Sequence, residues 1–253
     1  MLTTSRYIFI TAMRDWLFIG LYGAMFAAAG ISRFLADTAV VEQRQMELAY
    51  MAGSIRAILV LGLIVFICYH VRRSFENKEV DVLLSRPITR ETFVFSYWLG
   101  FALVALLLVL PMVAGIGWLL HLNMPGLMQW SLTLLLELWI VVAFGLFCSL
   151  ILKSSVISVL LTIGFYIISR MMGFFLYVFE RESEEIKTMM DAFREALRLI
   201  YYIVPRLDMN AKSNWLIYGI GSETHLILPV AQAVVYVPLI LLMAIYDFRR
   251  QQF

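Results

Sequence analysis

The sequence predicts an all-α membrane protein of six transmembrane helices in a single domain over residues 1–253, and three observations predict it. Of 253 residues, 62% are apolar and only 15% charged, with a mean hydropathy of +0.85. A soluble domain is nearer half apolar and a quarter charged, so a single water-soluble core is excluded. Six apolar runs are long enough to cross a bilayer, which needs about 20 residues each. They are continuous rather than alternating, which excludes a closed barrel.

The spans run over about 16–35, 54–71, 93–121, 127–152, 156–179 and 226–246. The first contains Leu17 to Gly30, whose small-residue end imitates a signal peptide, and is read as a retained span. Six spans put both termini on one side. That side is predicted to be cytoplasmic, because it collects Arg6, Arg14, Arg72, Arg73, Lys78, Arg86, Arg90, Lys153, Arg249 and Arg250. The short outer loops then hold Arg33, Arg44 and Arg56.

Three further elements accompany the spans. Ser5 to Asp15 alternates Tyr7, Ile8 and Thr11 with Arg6, Arg14 and Asp15, the pattern of a helix at the inner interface. In the inner loop, Phe75, Val80, Leu83 and Leu84 share one face of a short helix over about 75–86, which Pro87 stops. Thr89 then caps the third span, with Glu91 in its first turn. In the outer segment, about 180–225, Ile186, Met189, Met190, Phe193, Leu197, Ile200, Tyr201 and Val204 recur at helical spacing before Pro205. That segment is predicted to be an amphipathic helix on the outer side.

Several chemistries are excluded. A net charge of +2, scattered along the chain, gives no basic face for nucleic acid. Cys68 and Cys148 lie in separate apolar runs, without the spacing of a disulfide framework or a zinc site. His70, His121 and His225 sit in different segments, and no protease or hydrolase motif surrounds them. Glu184-Glu185 falls on the solvated face of the outer helix. None of Lys78, Lys153, Lys187 and Lys212 follows a glycine, so the chain has no phosphate-binding P-loop. No catalytic residue, metal or cofactor is therefore assigned to it.

The loop carries a resemblance. Glu76-Asn77-Lys78-Glu79-Val80-Asp81-Val82-Leu83-Leu84-Ser85-Arg86-Pro87-Ile88-Thr89-Arg90, between the second and third spans, resembles the coupling region of permease subunits of type-2 ATP-binding-cassette exporters. In that family a leading Glu precedes Gly-Thr-Leu-Glu, then leucines, Ser, any residue, Pro, an aliphatic, Ser or Thr, and Arg. Glu76 matches the leading acid, Asp81 the central Glu, and Pro87 to Arg90 the tail. Lys78 and Glu79 depart from the usual Gly and Thr, and Ser96-Tyr97 from a common Gly-Lys.

The resemblance implies a transport subunit rather than an enzyme, set in a bacterial inner membrane and paired with a second copy or homologue. ATP and magnesium would be held by separate cytoplasmic ATPase subunits, docked on Glu76, Glu79, Asp81, Leu83, Leu84, Arg86 and Pro87. The alternative is a permease-like scaffold or mechanotransmitter, acting on a periplasmic partner through the outer segment without moving a substrate. The resemblance names no substrate.

Two charges stand inside spans, Glu137 in the fourth and Arg170 in the fifth. Each lies about nine or ten residues from the outer end of its span, roughly 14 Å deep at about 1.5 Å per residue. Such residues normally face the bundle with a partner. An ion pair between them is predicted, either fixing helix register or lining a pathway.

Overall fold

The computed structural model describes residues 9–11, 15–38, 42–78, 89–120, 122, 124–181, 204–219 and 226–250. Most of these residues are helical and none is in a strand, and six helices are long and apolar enough to cross a membrane. They are α1 (Trp16–Asp37), α2 (Gln43–Glu76), α3 (Arg90–Leu120), α4 (Met124–Ile151), α5 (Ser155–Arg181) and α7 (Ile227–Arg250). Between α5 and α7 lie a 3-10 turn, Leu207–Met209, and a five-residue helix α6, Asn214–Tyr218. The start of α1 and the end of α7 define what we call the terminal end of the bundle; the opposite end is the far end.

Side-chain distribution is that of a membrane protein. On α5, Ser158, Thr162 and Ser169 are buried, while Val156, Ile157, Leu160, Leu161 and Ile168 face outward. Small polar groups pack between helices and bulky apolar ones contact the surroundings, as in lipid. α4 is apolar on every face and is the hub, packed against α2, α3, α5, α6 and α7. α1 packs on α2.

α2 differs most from its sequence reading. It begins at Gln43, eleven residues before the apolar run that marks it as a span. At about 1.5 Å per residue its 34 residues extend roughly 51 Å, more than the hydrocarbon core of about 30 Å. Polar Arg44, Gln45 and Glu47 occupy the overhang, which hydropathy alone reads as loop.

Local chemistry explains the other details. Asp15 caps α1, its carboxylate accepting from the Leu17 amide at 3.1 Å. Thr89 does the same for α3, accepting from the Thr92 amide at 3.3 Å. Pro111 sits inside α3, where its missing N–H would leave the Leu107 carbonyl without a donor. The hydroxyl of Tyr22 on α1 donates to that carbonyl at 2.8 Å. A proline inside a span is tolerated when a neighbour re-satisfies the freed group in this way.

Two glycines set how closely the 204–219 segment approaches the bundle. A Cβ added at Gly126 would stand 2.2 Å from the Trp215 carbonyl oxygen, and one at Gly173 would stand 2.2 Å from Oδ2 of Asp208. Gly126→Ala should therefore destabilise by about 1 to 3 kcal/mol through overpacking against backbone. Gly164→Ala, where a Cβ meets open space, should be neutral or slightly stabilising. Thermal unfolding of the two variants in detergent separates these outcomes.

Candidate functional site

The buried charges form one node. Arg170 Nη1 lies 3.6 Å from Glu137 Oε2, with the Glu137 side chain fully buried and that of Arg170 22% exposed. Arg56 and the hydroxyl of Tyr166 also act on the Glu137 carboxylate. Arg56, Glu137 and Arg170 stand thirteen, thirteen and eleven residues from the far ends of α2, α4 and α5. At about 1.5 Å per residue, that is one common level, roughly 16 to 20 Å down.

Arg170 does more than pair with a carboxylate. The same Nη1 donates to the Leu207 carbonyl and, at 2.8 Å, to the Asn210 carbonyl. Arg56 donates to the Ala211 carbonyl at 3.2 Å, and the Ala211 amide donates to Thr133 Oγ1 at 3.1 Å. The 3-10 turn and the two residues after it thus re-enter the bundle and are held there by side chains from three spans. Ala211 is fully buried at φ 45°, a left-handed geometry that costs a non-glycine residue about 1 to 2 kcal/mol. Such strain survives only where both backbone groups are fixed, as they are here, and it clusters at functional positions.

The node is incompletely paired. Both polar atoms of the Asn210 side chain and Arg56 Nε are buried without a hydrogen-bond partner among the described residues, and the Glu137 carboxylate meets Arg170 at 3.6 Å, just beyond hydrogen-bond distance.

Sequence reasoning placed Arg56 in an outer loop; it is inside α2 and belongs to this node. The depth argument that singled out Glu137 and Arg170 applies to it equally, once α2 is known to begin at Gln43. Tyr166 of α5 also faces the carboxylate. Asn210 and Thr133 carried no sequence signal. The amphipathic outer helix predicted before Pro205 lies outside the described residues. Within 205–219, Leu207, Asn210 and Ala211 are fully buried, while Lys212, Asn214 and Tyr218 are exposed.

Of the residues assigned to ATPase coupling, Glu79, Asp81, Leu83, Leu84, Arg86 and Pro87 lie outside the described residues. Glu76 is the last residue of α2, exposed and paired with Arg72 at 3.0 Å. The other flank is anchored differently. Arg90 Nη1 donates to the carbonyls of Phe248 at 2.7 Å and Arg249 at 2.9 Å, the last carbonyls of α7. Glu91 pairs with Arg249, and Phe93 stacks on Phe248 with ring centroids 5.5 Å apart. A guanidinium at a helix C-terminus satisfies orphan carbonyls and opposes the negative end of the dipole.

Fold and site together define an all-α, multi-pass membrane protein with a buried charge node and a re-entrant segment. Comparison with protein-family models and with curated proteins returns no match.

The node makes a quantitative prediction. Glu137→Gln or Arg170→Met alone should cost about 3 to 5 kcal/mol by stranding a buried charge. The double variant should not return to neutrality, because Arg170→Met also strands the Leu207 and Asn210 carbonyls, at about 1 to 3 kcal/mol each. Arg170→Lys should rescue only part, since a strongly hydrated ammonium on a flexible stem does not reproduce the position of the Arg170 Nη1 that serves the carboxylate and both carbonyls. A double-mutant cycle on unfolding in detergent measures this; additive effects of the two single variants would show that the residues do not interact.

Proposed function

We propose that the chain is the membrane-spanning permease subunit of an ATP-driven exporter of the type-2 ATP-binding-cassette class. It would act in a bacterial inner membrane as a dimer with a second copy or homologue, with both termini cytoplasmic. The observation that carries this reading is the sequence Glu76 to Arg90 between two spans, with its leading acid, paired leucines and Pro-Ile-Thr-Arg tail. The six-helix, all-α architecture supports it, as does the anchoring of both ends of that loop to membrane-spanning helices.

On this reading the loop is a coupling helix. Its Val80, Leu83 and Leu84 face would enter a groove of the ATPase, where ATP and magnesium are bound. Closure of the ATPase pair would displace the loop, which pulls on α2 through Glu76 and on α7 through Arg90. The outer amphipathic helix and the 204–219 segment would then form the lid of the pathway on the periplasmic side, held by Arg56 and Arg170. Opening that lid requires breaking both arginine clamps, which stand on different helices.

Two experiments test the coupling and the orientation. Leu84→Asp should abolish capture of the ATPase, at a cost of about 2 kcal/mol or more for a charge in a desolvated groove. Arg90→Ala should leave capture intact while reducing ATPase stimulation, because it cuts only the link to α7. Intact capture and stimulation in Leu84→Asp would exclude the loop as the contact. For orientation, Glu185→Cys and Arg198→Cys should react with an impermeant thiol reagent from the periplasm, while Phe193→Cys is protected. Reaction only after the cytoplasm is opened would invert the topology.

A further inference from the structure

We infer that the groove between α1 and α3 is a binding site for one acyl chain of a zwitterionic phospholipid, with an ammonium-bearing headgroup of the phosphoethanolamine type at its far-end rim. The groove encloses about 560 Å³ and is apolar along its length, lined by Tyr22, Phe26 and Gly30 of α1, Met51 of α2, and Gly115 and Ile116 of α3. α1 packs on α2 and α3 packs mainly on α4 and α7, while α1 and α3 pack little on each other, so Glu47 and Met51 of α2 lie between them and the open side faces the surroundings. Phe26 on the lip is 67% exposed.

Dimensions select a lipid chain over a protein helix. From Tyr22 to Arg33 the groove follows eleven residues of α1, roughly 16 Å at about 1.5 Å per residue. That is about half of a hydrocarbon core of about 30 Å, the reach of a single leaflet. A spanning helix of a partner would need contact over both leaflets. At its other end the groove reaches Tyr22, whose hydroxyl bonds the carbonyl freed by Pro111.

The rim selects the headgroup. Arg33 and Glu47 line the far end of the groove and face each other at 3.4 Å, a long contact in which the Arg33 side chain stays 68% exposed and that of Glu47 13%. Arg33 has five N–H donors and uses one of them here, leaving a fork for a phosphate. Glu47 offers a carboxylate to an ammonium at the same place. A headgroup bearing both charges inserts into that pair without leaving either residue unpaired. An anionic headgroup without an ammonium satisfies Arg33 alone, and one with a quaternary ammonium cannot donate a hydrogen bond to Glu47.

The glycines in the lining provide a clean test, because a Cβ added at Gly30 or Gly115 meets only open space. Both glycines line the groove, so a side chain added at either enters it without a clash at its Cβ. The experiment is native mass spectrometry of the full chain in non-ionic detergent, titrated separately with phosphatidylethanolamine, phosphatidylglycerol and phosphatidylcholine of identical acyl chains. One phosphatidylethanolamine should bind per chain about tenfold more tightly than either of the others, equivalent to about 1.4 kcal/mol. Gly115→Leu should weaken it about tenfold with unchanged thermal unfolding, and Glu47→Gln should abolish the discrimination against phosphatidylcholine while retaining binding. Equal binding of all three lipids by the unaltered chain would overturn the headgroup assignment. Unchanged phosphatidylethanolamine binding in both Gly115→Leu and Gly30→Leu would overturn the groove itself. Neither readout involves an ATPase or transport, so the outcome is independent of the proposed function.

Discussion

A backbone that leaves its helix inside an apolar bundle must find partners for its N–H and C=O groups, and in this protein two arginines and a threonine supply them. Each unsatisfied group in hydrocarbon costs several kcal/mol, so non-helical chain at this depth exists only where protein or enclosed water meets it. Residues 207–211 meet that condition through Arg170, Arg56 and Thr133. The requirement then propagates outward. Two guanidiniums in the bundle need a counter-charge, and Glu137 on α4 provides it. The node fixes α2, α4 and α5 at one level, because its members lie nearly the same number of residues from the far ends of their helices.

Close approach by this segment imposes a second constraint, on side-chain size. α5 and α4 present Gly173 and Gly126 where Asp208 and the Trp215 carbonyl arrive, and no larger residue fits at either position without displacement. The same helix, α5, turns Ser158, Thr162 and Ser169 inward and its branched aliphatics outward. In water that arrangement would be inverted. In lipid it lets small polar groups pack closely between helices, where dispersion and hydrogen bonds drive association.

The spans were legible in the sequence because lipid-facing and core-facing positions are both apolar, so each run is long and unbroken. Glu137 and Arg170 were legible by contrast with those runs and by counting residues from their ends. The start of α2 was not, because Arg44, Gln45 and Glu47 lie on helix that projects past the apolar region, where hydropathy has no signal. Arg56 falls just inside the predicted span 54–71, near enough to its end to read as a loop charge, and the third charge of the node stayed hidden. The re-entrant segment was illegible for a different reason. Leu207, Asn210 and Ala211 share no period, and their burial is decided by carbonyl bonds to residues 37 to 155 positions away in the chain.

On the proposed reading, the question is how a displacement at the loop reaches the node. α2 provides a direct answer, since Glu76 at its terminal end and Arg56 in the node are twenty residues apart on one uninterrupted helix. At about 1.5 Å per residue that is roughly 30 Å of hydrogen-bonded rod. A helix transmits translation along its axis without a relay of side chains, and a movement of about one ångström at Glu76 would move Arg56 by the same amount. Arg56 holds Ala211 by one hydrogen bond at 3.2 Å, which such a shift would break, while Arg170 on α5 is not part of that rod. Release of the re-entrant segment therefore depends on α2 moving relative to α5, and Arg90 adds the condition that α3 and α7 move as a pair at the terminal end. A two-state element is what coupling between distant sites requires, and on this reading a clamp shared between α2 and a separate helix would serve as one.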